Sequence, residues 1–109
     1  MGSIRLTAAD GFSLSAYEVE PQGPKKGCVV VIQEVFGVND HIREVCDGYA
    51  MEGYHVVAPA IFDRFEPGVE LGYGQEDMMR GVGIARGELE MKSTLQDIQA
   101  AISYLSDKG

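Results

Sequence analysis

Basic side chains are scarce in this sequence. Nine Lys and Arg stand against seventeen Asp and Glu, a formal net charge of −8. A protein that grasps a phosphate backbone needs a basic face, so nucleic acid is not an expected partner. The deficit is even along the chain: residues 1–54 and residues 55–109 are both acidic, and neither is a charged tail. Cysteine is also rare. Cys28 opens an apolar run and Cys46 lies in an amphipathic segment, and the expected state of both is a buried thiol in a cytoplasmic protein. Their separation fits no metal-site spacing, and neither a metal nor another cofactor is expected. Long apolar runs are missing. The longest, Cys28 to Ile32, is far too short to cross a bilayer, and Met1 to Arg5 is not followed by the apolar stretch of a signal peptide. No membrane association is expected.

What is present belongs to a globular protein. The 109 residues are 45% apolar and 24% charged, which suits one compact unit and argues against a disordered tail. Residues 4–8 and 12–19 alternate apolar and polar around Asp10-Gly11, the pattern of an antiparallel hairpin at a sheet edge. Residues 28–32 (Cys-Val-Val-Val-Ile) are continuously apolar and β-branched, as in a strand covered on both faces. A loop follows over 33–40, and Asn39 or Asp40 can cap the next helix. Ile42, Val45, Cys46 and Tyr49 share one face of that helix, and Gly53 is a plausible stop. Residues 54–58 form a second buried strand, ended by Pro59.

Strand, loop, helix and strand make a βαβ unit. Residues 60–87, with glycine at 68, 72, 74, 81, 83 and 87, predict a long, partly helical excursion and a mobile cap. Residues 88–106 return to helical order, with Met91, Leu95, Ile98, Ile102 and Leu105 on one face and Gly109 as C-cap. The alternation gives an α/β fold with helices on both faces of the sheet. Ligands in such sheets bind beyond the carboxyl ends of the strands, so the loop after 28–32 is the first place to look for chemistry.

Glu34 is the residue in that loop that needs explaining. A carboxylate so close to an apolar strand either turns to water or is held by donors, because an unpaired buried charge is costly. It is either a solvated loop residue or a poised base beside a nucleophile.

The string Gln-Glu-Val-Phe-Gly-Val-Asn (33–39), with Ile-Arg-Glu (42–44), Gly-Tyr-His-Val-Val-Ala-Pro (53–59) and Phe-Asp-Arg (62–64), resembles the N-terminal half of a dienelactone hydrolase. The resemblance covers most of residues 10–105 and implies part of an α/β-hydrolase sheet. It implies hydrolysis of a small ester or lactone through a cysteine nucleophile on a strand-to-helix elbow, with an Asp and a His further along. It also implies roles for residues of this sequence. Glu34 would contact the thiol and help generate the thiolate, the reactive form. The Val35 N–H would donate to the oxyanion, with a second donor after the nucleophile. Gly37 would let the loop turn closely under the substrate, and Phe36 and Arg80 would bind substrate.

The chain departs from that pattern in one respect. None of its fourteen glycines belongs to a Gly-x-Cys-x-Gly or Gly-x-Ser-x-Gly elbow, and neither cysteine is flanked by glycines in that way. Residues 1–109 therefore read as a single unit, the N-terminal half of a larger domain, expected to be inactive alone.

Other residues have plainer readings. His41 falls in the first turn of a helix, where the dipole disfavours its charged form, and His55 falls in a strand. Arg80 and Arg86 flank Gly81-Val-Gly-Ile-Ala, which follows no strand and is spaced wrongly for a dinucleotide loop. Tyr73, Met78 and Met79 either line an apolar pocket or pack a cap. The alternative to an enzyme is a small α/β module that binds a partner or forms a homodimer through an open sheet edge.

Overall fold

The computed structural model describes residues 2–88 and 90–107. Four strands, β1 (Gly2–Thr7), β2 (Ser13–Val19), β3 (Gly27–Val30) and β4 (Tyr54–Pro59), form one mixed sheet in the order β1-β2-β4-β3. β1 and β2 are the expected hairpin, with Leu6 opposite Leu14. Its turn is closed by Ala8 N–H to the Phe12 carbonyl and by Gly11 at φ +89°, a conformation glycine adopts without strain. β2 runs antiparallel to β4, and β3 runs parallel to it with Val29 beside Val56.

Helices cover both faces, as the alternation of β4 requires. Val56 and Ala58 point towards α1 (Asp40–Met51), packing with Ile42, Cys46 and Ala50. Val57 points the other way, packing with Leu14, Ala101 and Leu105 under α3 (Met91–Asp107). Asn39 caps α1, its side chain accepting from the Ile42 N–H at 3.2 Å, and Gly53 ends it at φ +104°.

Three expectations are corrected. The strand expected at 28–32 ends at Val30 and is not covered on both faces. It is the edge of the sheet, and Ile32 beyond it is 45% exposed. Burial on both sides belongs to β4, which lies between two neighbours. For the same reason Cys28 is exposed and only Cys46 is buried. Finally, α3 packs by only part of its expected face, through Ile98 and Leu105. It buries Asp97, Ala101 and Leu105, while Met91, Leu95 and Ile102 are exposed. An ion pair turns Asp97 inward: Arg64 reaches its carboxylate with two nitrogens, each at 2.9 Å.

The glycine-rich segment is helical in part. It holds a 3₁₀ turn (Ile61–Arg64), α2 (Gln75–Gly83) and a π turn (Ile84–Glu88). Ile61, Phe62, Val69, Leu71 and Ile84 build a third apolar cluster around Phe36, so the excursion packs directly on the Glu34 loop. The helix end expected at Gly109 lies outside the described residues.

Candidate active site

The loop after β3 is a turn with glycine at its close. The Gly37 N–H bonds the Glu34 carbonyl at 3.3 Å, and Gly37 has φ +81°. A side chain there would be strained, and its Cβ would strike the Val69 carbonyl oxygen. That close approach lets residues 69–71 run beside 36–37: Gly37 bridges Glu70, and the Leu71 N–H bonds the Phe36 carbonyl at 2.7 Å. On the other side Gly81 of α2 lies against the Val35 carbonyl, where a Cβ would also clash. The loop is thus clamped between two backbones at points that only glycine permits.

Glu34 and Val35 emerge from this clamp onto one cavity of about 350 Å³, which Gln33, Ile61, Phe62, Ala85, Met91 and Thr94 complete. The Glu34 side chain is exposed and, among the described residues, has no hydrogen bond or ion pair. The carboxylate turns to water. The Val35 N–H likewise has no acceptor among the described residues.

Gln33 is the polar residue that sequence reading passed over. It is 8% exposed and lines both this cavity and a second one of about 340 Å³ bordered by Ser15, Tyr17, Arg43 and Asp63. Its Nε2 donates to the Glu34 carbonyl at 3.1 Å, and its buried Oε1 has no partner among the described residues. A buried acceptor left unpaired costs about 1–3 kcal/mol. The sequence signal was only position, a polar residue directly after an apolar strand.

The other expected site residues lie apart from this cavity. Phe36 is buried in the third cluster, its ring 4.4 Å from that of Tyr73. Arg80 on α2 is half-exposed and pairs with Glu66 at 3.1 Å. His41 is exposed on the first turn of α1, 6.2 Å from the Tyr73 ring. His55 is buried near the start of β4, at the opposite end of the parallel strands from Glu34.

A group able to hold a metal ion lies at that far end, where ligand atoms of Glu18, Glu20 and His55 lie within 4.8 Å of one another. The Glu18 carboxylate there already bonds His55 Nε2 at 2.7 Å and accepts from the Tyr104 hydroxyl at 2.8 Å. Burial, then the bond to Glu18, pushes the Tyr104 phenol up to about 12. Glu18, His55 and Tyr104 thus bond one another, and they lie away from the loop.

Comparison with known proteins shows which family this loop and its sheet belong to. The dienelactone hydrolase family model matches residues 14–109. The chain belongs to the dienelactone hydrolase family. A Synechocystis relative named among the carboxymethylenebutenolidases is 45% identical over 76 residues, spanning 70% of this chain and 30% of that protein. The carboxymethylenebutenolidase of Pseudomonas putida is 29% identical over 101 residues, 93% of this chain and 43% of its own length. A Klebsiella pneumoniae crystal structure named among the dienelactone hydrolases superposes with a TM-score of 0.71 at 26% identity, covering all of this chain and 46% of that one. The sheet and its helices are therefore part of an α/β-hydrolase fold, and the chain spans less than half the length of these relatives.

Proposed function

We propose that this chain carries the Glu34–Val35 side of the active site of a small-ester or lactone hydrolase. The observation that carries the reading is the cavity lined by Glu34 and Val35, whose carboxylate and backbone N–H have no partner among the described residues. In this reading Glu34 takes the proton of a cysteine thiol that residues 1–109 do not place on an elbow. The thiolate attacks the ester carbon, the Val35 N–H stabilises the oxyanion, and collapse expels the alcohol to leave an acyl-enzyme that water cleaves. Arg80 is the residue proposed for an anionic substrate group. Its exposed pair with Glu66 is weak enough to exchange for one. Phe36 would act from beneath, holding the loop against Tyr73. The unpaired Cys28 and Cys46 support a reducing, cytoplasmic location.

The test joins residues 1–107 to the part of the Pseudomonas putida relative outside the match and assays a 4-nitrophenyl ester. The 109-residue chain alone is expected to show no turnover. The joined protein is expected to turn over, with kcat at least about 100-fold lower in Glu34→Ala. Turnover by the short chain that survives Glu34→Ala would overturn the reading.

One observation favours a second reading, self-association without catalysis. Among the described residues β3 is an unpaired sheet edge, followed by exposed Ile32 and bordered by exposed Ile102 of α3. Edge pairing between two copies would cover these groups. Sedimentation of the 109-residue chain discriminates, since a monomer at high micromolar concentration speaks against a homodimer through β3.

A further inference from the structure

The carbonyl of Glu34 and the N–H of Val35 are two ends of one planar peptide unit, so fixing one fixes the direction of the other. Two donors meet on that carbonyl. The Gly37 N–H closes the turn at 3.3 Å, and Gln33 Nε2 donates to the same carbonyl at 3.1 Å. The Gln33 amide has no second anchor, because its Oε1 has no partner among the described residues. Turning the amide over would set oxygen against oxygen, so the bond to Glu34 alone chooses its orientation. A buried acceptor without a donor weakens a fold, and an apolar side chain of the same length would not carry that cost. Among the described residues the bond to the Glu34 carbonyl is the one hydrogen bond of the Gln33 side chain.

From this we infer that Gln33 is a positioning residue that holds the Glu34–Val35 peptide plane, so that the Val35 N–H keeps one direction before a ligand arrives. Preorganised donors stabilise developing charge because they need no reorientation during reaction. The inference rests on the reading of Val35 as an oxyanion donor, but the placement of the peptide plane can be measured without any turnover. It separates Gln33 from Glu34: one fixes a backbone dipole, the other handles a proton.

The experiment uses the ¹⁵N-labelled 109-residue chain, with Gln33→Met removing the donor at nearly constant volume. The Val35 amide is expected to be rigid in the parent, with an order parameter of about 0.85, and to fall below about 0.6 in the variant. Its residual dipolar coupling should shift as well, while the sheet amides keep theirs. The melting temperature should be equal or higher. An unchanged Val35 order parameter and coupling would overturn the inference. So would a lower melting temperature with loosening throughout the sheet, which would make Gln33 an ordinary core residue. Should Gln33→Met fail to fold, Gln33→Asn, which withdraws the amide by one methylene, is expected to loosen Val35 in the same way. A failed ester assay would leave these measurements standing, and a failed pin would leave the ester assay standing.

Discussion

Cys46 and Cys28 share a side chain and differ in almost everything else. Cys46 is fully buried between α1 and the sheet, and that burial pushes its thiol up to about 11 from 9.0. Cys28 is exposed on the edge strand. A thiol reagent is expected to titrate one cysteine in the native protein and two after unfolding. A native count of two would contradict the burial of Cys46. The same burial sets an alkaline limit. A raised pKa means the fold favours the neutral form, so its stabilisation is complete below pH 9 and fades as pH rises towards 11. Tyr17, pushed up to about 12 by burial and by its bond to Asp47, and Tyr104 act in the same sense above pH 10. The urea midpoint is therefore expected to fall between pH 9 and pH 12. A midpoint unchanged across that window would refute the assignment. At this scale Glu34 was legible because a carboxylate after an apolar strand is conspicuous. Gln33 was not, because an amide there raises no such conflict and its bond to Glu34 is made only in the folded turn.

Among the elements, α2 and the Glu34 loop depend on each other. Gly81 permits the helix to touch the Val35 carbonyl, and Gly83, two residues on, faces open space. Gly81→Ala is expected to destabilise by about 1–3 kcal/mol, since backbone meets backbone and neither yields cheaply. Gly83→Ala is expected to be neutral or stabilising by up to about 1 kcal/mol through helix propensity. Urea melts of the two variants check the contrast, and equal effects would show that the close approach is not made. Periodicity alone could not separate these two glycines. It also misjudged part of α3, whose expected face packs through Ile98 and Leu105 but leaves Met91, Leu95 and Ile102 exposed. The helix turns instead on Asp97, a residue that no hydrophobic pattern selects.

Across the whole molecule, Arg64 ties three distant segments. It bonds Asp97 of α3, bonds Asp10 of the hairpin turn at 2.9 and 3.0 Å, and lies 4.5 Å over the Phe12 ring. Those bonds push the guanidinium further up and hold Asp10 below the usual carboxylate range. Asp97 is fully buried, so Asp97→Ala is expected to cost about 3–5 kcal/mol, read from the urea midpoint. Asp10 is exposed, and Asp10→Asn is expected to change little. A mild effect of Asp97→Ala would mean that α3 is held by its apolar contacts alone.

The sequence by itself determined the hairpin, the βαβ order, a cap at Asn39 or Asp40 and the loop to examine. These follow from short-range rules: alternation, turn residues and helix capping act on neighbours along the chain. Tertiary structure alone decided that β3 is an edge, that Cys28 is exposed and that α3 packs through Asp97. It also walled the Gln33–Val35 loop with Ile61, Phe62, Ala85, Met91 and Thr94 to make one cavity. Each of these depends on which segments meet across long sequence separations, and local patterning carries no record of that.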